Sequence, residues 1–550
     1  MTGSRRNTVL LVLLALLLVG GIVVVVLPQI ILHRLSDRLA QTTGLILSLD
    51  TKSRLTVADG LAITLSDVAL ASRNQQGVPV IAAAEVTVPL HVSDFLPGAD
   101  GPSALTLEGA SFVFPVTAEK AGKPAAQPRP LRLTLRNSTF KLDDPKRGTV
   151  FAASDINGEV VVDKAGALLI DVRALLNGLP TQVTASFDDV LRLQENGSPA
   201  DIALATTKQS LTLSGRARAR PLPAFDGTFM LQSPDATLAL QWLGFGVFPV
   251  LNGSALSLDG PASVQGLRVE LPKSVFVLGG SKGEMTLAFD ADRDRPKLLA
   301  RSVVDELVLT GPAILSPSGN WSDVPFDVSS FRNFDADVAV TTTSARIAAV
   351  TMGPSRLTAK LDSGTAELKL NGEDLSGGTL AARLAMTITE SEPALRLDLS
   401  LTNAKAERLL PQLLNASHLK GDGDVVLKLE VTGRSPARII SSLKGDATIQ
   451  LRNGSLAGYD LASQAETAET TSREGWQHDA TSATILNDAI LEAKLDEGIA
   501  RIVKGEINGA TSLLSFSGEI DLLRQALLLK LESGVAVSGP WANPQFSPPP

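Results

Sequence analysis

Residues 394–402 read ALRLDLSLT. Leu395, Leu397, Leu399 and Leu401 fall at alternate positions, with Arg396, Asp398 and Ser400 between them. A helix turns once in about 3.6 residues and would scatter these leucines around its circumference. Only a strand gives them one common face and gives the charges the other. The pattern continues on both sides. Leu357, Ala359 and Leu361 oppose Thr358 and Lys360, and Ala366, Leu368 and Leu370 oppose Glu367 and Lys369. Leu380, Ala382, Leu384, Met386 and Ile388 follow, and Val425, Leu427, Leu429 and Val431 complete the set.

Period two also holds elsewhere. It begins at LILSLD (45–50) and recurs in LAITLSDVAL (61–70), AAEVTVPLHV (83–92), ALTLEG (104–109) and ASFVFPV (110–116). Thr117–Pro130 is rich in Ala, Pro and Lys and reads as a loop. Strands resume over Leu131–Asp171, and Gly and Pro turns separate further strands between Pro249 and Pro325. Short helices are predicted at Phe187–Gln194, Ala236–Gly244, Lys405–Leu414, Ser435–Leu443 and Tyr459–Thr467. The chain closes with strands at Ile485–Leu495, Ile499–Ile507, Thr511–Leu522 and Ala526–Leu531, then a proline-rich tail, Ser538–Pro550. LTLRNSTFKL (133–142) and IQLRNGSLAG (449–458) share Leu-Arg-Asn, but no fixed period emerges and a strict solenoid is not supported. The expected fold is mainly β, built from serial antiparallel strands with a few short helices.

Val9–Leu27 (VLLVLLALLLVGGIVVVVL) carries no charge. At about 1.5 Å per residue it reaches about 28 Å, close to the roughly 30 Å hydrocarbon core of a bilayer. Arg5 and Arg6 precede it without an acidic residue, which favours a cytoplasmic N-terminus. A cleaved signal peptide would have a shorter apolar core and small residues at its end; this run ends in LPQII. The reading is one uncleaved transmembrane helix, followed by an amphipathic helix over Ile30–Thr43 with Ile31, Leu35 and Leu39 on one side. The expected organisation is a cytoplasmic segment (1–8), an anchor (9–32), an N-terminal strand region (33–115), a linker (116–130), a central β region (131–400) and a C-terminal region (401–550).

Composition excludes several functions. The net charge is −8 with no basic block, so nucleic acid is not an expected partner. There is no Cys, so neither disulfides nor thiolate metal sites arise. His33, His91, His418 and His478 are scattered without metal-ligand spacing. Ser441-Ser442-Leu443-Lys444 fits S-x-x-K but ends a predicted helix, with no accompanying constellation. Asp422 and Asp424 lack the rest of a Ca²⁺ loop and read as a polar turn. Gly279–Gly283 lacks P-loop spacing and reads as a hairpin turn. Ser435-Pro436 suits an N-cap and first helical position. No catalytic residue, metal or cofactor is expected, and the chain is not read as an enzyme.

The segment Leu419–Leu461, LKGDGDVVLKLEVTGRSPARIISSLKGDATIQLRNGSLAGYDL, resembles the C-terminal region of the AsmA family. The shared order is a G-x-G strand, a T-G-R-S-P turn into a short helix, and a strand ending in N-G-x-L-x-G-x-D-L. Trp321–Pro325 (W-S-x-x-P), residues 353–370 and Gly539–Pro544 (GPWANP) support it. Thr43-Gly44, LSDVAL (65–70) and AAAEVTVPL (82–90) match more loosely. The resemblance implies an inner-membrane-anchored protein with its bulk in the periplasm. It also implies a role in outer-membrane biogenesis and a folded-over β-sheet with an apolar trough. Its expected partners are the inner membrane, phospholipid and other envelope proteins.

Two readings of the leucine faces stand. They pack against a second sheet in a closed core, or they line an open groove for acyl chains. The groove reading assigns Leu357, Leu361, Leu368, Leu370, Leu384, Leu395, Leu397, Leu399, Leu401, Leu427 and Leu429 to lipid. It would serve phospholipid binding or transfer between membranes. The alternative function is a non-transporting scaffold or modulator of outer-membrane protein assembly or of protein targeting to the membrane. The strand count also predicts an elongated β body.

Overall fold

The computed structural model describes residues 45–48, 54–56, 62–72, 79–89, 104–115, 130–144, 148–219, 222–245, 251, 253–309, 320–326, 328–332, 334–387, 392–414, 416–510 and 513–549. The anchor Val9–Leu27, the amphipathic segment Ile30–Thr43 and linker residues 116–129 lie outside them. Among the described residues no helix is long and apolar enough to cross a membrane. The fold is mainly β, as the alternation requires, and the chain divides into two compact units.

The first unit comprises residues up to 248, with 252–279 and 284–297. The strand Ala62–Ser72 carries Leu45–Ser48 and Arg54–Thr56 on one side and Pro79–Pro89 on the other. The expected uniform antiparallel order then breaks. Ala104–Glu108 and Ser111–Pro115 run parallel to Leu131–Asp144, with Leu105 opposite Leu133 and Phe112 opposite Phe140. Parallel neighbours need a long connection rather than a tight turn, and fifteen residues separate Pro115 from Leu131 in the sequence. Antiparallel pairing continues from Leu131–Asp144 through Arg268–Leu278.

This unit has a closed core. Leu133, Leu142, Val160, Leu168 and Leu204 are each 0% exposed. The helix Ala236–Trp242 is capped by the Asp235 side chain and inserts Trp242, whose indole N–H donates to Thr181 Oγ1 at 3.0 Å. A second helix, Val190–Glu195, starts later than the sequence suggests. Phe187 completes the strand Leu179–Phe187, and Asp189 accepts the Leu191 and Arg192 N–H groups as N-cap.

The second unit holds residues 298–550, with 249–251 and 280–283. Its strands follow in chain order as an antiparallel ladder: Asp335–Ile347, Ser355–Asp362, Thr365–Leu375, Gly378–Thr387, Ala394–Lys405, Leu419–Thr432 and Lys444–Ala457. Ala483–Asp496, Ile499–Asn508, Leu513–Asp521 and Ala526–Leu531 continue it. The proline-rich tail adds Ala536–Pro540 and Gln545–Ser547, and Arg473–Glu474 pairs with the last of these.

Helices Ala406–Leu414 and Pro436–Ser441 fall where periodicity places them; Ser435 Oγ accepts the Arg438 N–H at 3.4 Å. The third, Leu461–Thr470, begins after Tyr459 because the Asp460 side chain caps it through the Ser463 N–H at 3.0 Å. Asp422 and Asp424 are corrected from a turn to the strand Leu419–Thr432, where Lys405 pairs with Asp422 and Arg452 lies 2.6 Å from Asp424.

The shared Leu-Arg-Asn of the two units marks a common device. Asn137 (φ 48°) and Asn453 (φ 49°) both sit in left-handed conformation at ladder irregularities. Asn tolerates that region better than most residues, so each strand gains a bulge without a break.

Candidate functional site: a half-open leucine face

Strand register in the second unit aligns the leucines into rows. Leu357, Leu370, Ala382, Leu399, Leu427 and Ala447 are successive ladder partners. Ala359, Leu368, Leu384, Leu397, Leu429, Gly445 and Leu495 form the next row. Leu361, Ala366, Met386, Leu395 and Val431 form a third, and Leu380, Leu401, Val425 and Ile449 a fourth. With strands about 4.8 Å apart, the seven-member row extends about 29 Å.

The opposite face is charged. Lys360, Glu367, Ala385, Arg396, Glu430 and Lys444 are ladder partners there. So are Lys369, Arg383, Asp398, Lys428, Asp446, Lys494, Arg501 and Glu519. Arg383 reaches Glu367 at 2.5 Å, Arg501 reaches Glu519 at 2.9 Å, and Arg396 pairs with Glu430. The Lys369 hydrogen bond holds the Glu367 carboxyl below its ordinary range, with the Arg383 charge adding to it. Each exposed pair contributes little stability. Together they commit this face to water and the leucine face to whatever excludes it.

That leucine face is not sealed as the first unit's core is. Leu361 and Leu401 are buried at 6% exposure, whereas Leu368 is 37% and Ile449 43% exposed. Leu357, Leu370, Leu384, Leu395, Leu397, Leu399, Leu427 and Leu429 are half-buried. Helices cover the ends. Leu409 of Ala406–Leu414 packs with Leu375, Leu401 and Met352. Ile440 and Leu443, at the end of Pro436–Ser441, pack with Leu495 and Leu429. A contiguous apolar surface left half in water costs roughly 25 cal/mol per Å², and such surfaces mark binding sites. The structure therefore places all eleven leucines on the one face but distributes them unequally: Leu361 and Leu401 are buried, Leu357, Leu370 and Leu399 pack half-buried against the cluster around Leu401, Leu429 packs against that around Leu443, and Leu368 is exposed.

Two sequence motifs of this unit meet in space. The Phe326 N–H donates to the Arg434 carbonyl at 2.8 Å and the Ala437 N–H to the Ser322 carbonyl at 3.0 Å, joining the W-S-x-x-P segment to T-G-R-S-P. Trp321 donates its indole N–H to the Leu522 carbonyl at 2.8 Å. Gly421, at φ 133°, lies against Gly454; a Cβ at Gly421 would stand 2.8 Å from the Gly454 Cα. The G-x-G and N-G motifs are thus two halves of one close backbone approach.

Residues 318–504 match the model of the AsmA family. This part of the chain is an AsmA region. It contains both stitched motifs and every one of the eleven leucines. The looser amino-terminal resemblance and GPWANP at 539–544 lie outside it. No curated protein and no solved structure matches the chain. Among the described residues no group of three or more His, Cys, Asp or Glu side chains is arranged to hold a metal ion.

Proposed function

We propose that the AsmA region holds phospholipid acyl chains on its half-open leucine face. The protein then acts in the cell envelope by binding or passing lipid between inner and outer membranes. Val9–Leu27 anchors it in the inner membrane, and the bulk lies in the periplasm. The role is non-enzymatic and needs no cofactor: acyl chains are held by burial alone, which is non-directional and scales with apolar area. The observation that carries this reading is the contrast between the two units. The same alternation gives side chains at 0% exposure in the first unit and a half-exposed row of leucines in the second.

The test is a photo-crosslinking residue placed at Leu399 or, as control, at Asp398 on the charged face. The expected result is a phospholipid adduct, identified by mass spectrometry from cells, at Leu399 only. No adduct at Leu399 above the Asp398 background overturns the lipid reading and leaves the scaffold role in outer-membrane protein assembly. A phosphatase fused after Pro550 should be active if the bulk is periplasmic, and inactive otherwise.

A further inference from the structure

Two of the four histidines and the only tyrosine of the chain converge at one end of the hairpin formed by Leu419–Thr432 and Lys444–Ala457. His418 stands just before the first strand, Tyr459 just after the second, and His478 in the segment after the helix Leu461–Thr470. The ring centroids lie 5.5 Å apart for His418–His478, 5.6 Å for His418–Tyr459 and 5.3 Å for Tyr459–His478. All three contacts are edge-on.

Both imidazoles are exposed, and Tyr459 is half-buried between them. Gly458 makes the arrangement possible. It adopts φ 82°, and a Cβ there would stand 2.5 Å from His478 Nε2. Its N–H donates to the Ser482 carbonyl and its carbonyl accepts the Asp479 N–H, so the backbone carries His478 to the hairpin end. The Asp479 carboxylate beside it is fixed by the Thr481 N–H and hydroxyl and by Ser482.

We propose that His418 and His478 bind one divalent late-transition-metal ion, Zn²⁺ or Cu²⁺. Imidazole nitrogens bind such ions at about 2.0–2.1 Å, and two rings on one tetrahedral ion have centres about 5 Å apart. The observed centroid separation of 5.5 Å is close to that, and both rings are exposed and free to turn toward a shared ion. Water fills the remaining positions, so the ion exchanges readily and binds at micromolar rather than nanomolar strength. The ion ties the segment bearing His478 to the hairpin. That segment follows Arg473–Glu474, the strand that pairs with Gln545–Ser547 at the end of the ladder. Metal availability thereby stiffens the closing edge of the sheet, independently of any lipid on the leucine face.

The experiment uses the full-length protein in detergent, stripped with EDTA. Zn²⁺ is titrated by calorimetry and Cu²⁺ by electron paramagnetic resonance. The expected result is one ion per chain, nitrogen hyperfine structure from two imidazoles, and at least tenfold weaker binding in His418→Ala and in His478→Ala. Zn²⁺ should raise the unfolding midpoint of the wild type but of neither variant. Tyr459→Phe keeps the ring packing and should keep the ion, which separates ligation from aromatic packing. Binding of unchanged strength in either histidine variant, or no saturable binding by the folded wild type, overturns the proposal.

Discussion

Leu399→Glu tests how open the leucine face is, with Leu133→Glu as its internal reference. Leu399 is half-buried, between ladder partners Ala382 and Leu427. Full burial of a leucine stabilises by about 1.5–3 kcal/mol, so half-burial carries about 1 kcal/mol. A glutamate there turns its carboxylate to water and stays ionised, so the total loss should be about 1–2 kcal/mol. Leu133 is 0% exposed. There the glutamate forfeits the whole burial term and must either ionise in the core or take up a proton at a raised pKa. That costs about 5 kcal/mol or more, comparable with the stability of a whole domain. The assay is urea unfolding of the purified protein, followed by tryptophan fluorescence, with expression level as a second reading. Leu399→Glu should fold with a modestly lowered midpoint; Leu133→Glu should not accumulate as folded protein. If Leu399→Glu is as damaging as Leu133→Glu, the face is a closed core and the reasoning fails.

Three further outcomes follow from particular contacts. Gly421→Ala should destabilise by about 1–3 kcal/mol in the same unfolding assay, because φ 133° disfavours a side chain and the new Cβ meets the Gly454 backbone. Trp321→Phe removes the indole donor to the Leu522 carbonyl and should lose about 1 kcal/mol, with little change in secondary structure by circular dichroism. The Lys405 ammonium bonded to Asp422 holds that carboxyl below its ordinary value of 3.8. A depressed folded value means stability present above the unfolded value and lost as pH falls through the folded one. The wild-type urea midpoint should therefore drop between about pH 5 and pH 2 more steeply than that of Asp422→Asn. Equal slopes would remove Asp422 from the acid response.

Most of the chain's strands, and the side to which their residues point, were legible from period two; the strand position of Asp422 and Asp424 and the short strands Arg473–Glu474 and Gln545–Ser547 were not. Once Leu395, Leu397, Leu399 and Leu401 alternate with Arg396 and Asp398, no neighbour can move one leucine to the other face without a bulge. Short-range chemistry was legible for the same reason: Ser435 caps its helix through a hydroxyl only three residues from the N–H it accepts. The boundaries moved at Phe187, which completes a strand so that Asp189 caps the helix, and at Tyr459, where Asp460 is a better cap than the tyrosine before it.

What the sequence could not determine is what stands opposite a face. Leu361 and Leu368 carry the same signal, yet one is 6% and the other 37% exposed. The parallel pairing of Leu105 with Leu133 depends on where a crossover returns the chain. The meeting of His418, Tyr459 and His478 depends on a strand register and on a glycine turn at Gly458. Periodicity reports the local environment each side chain requires. The partner that supplies it is fixed by contacts between residues far apart in the chain, and those exist only in the folded molecule.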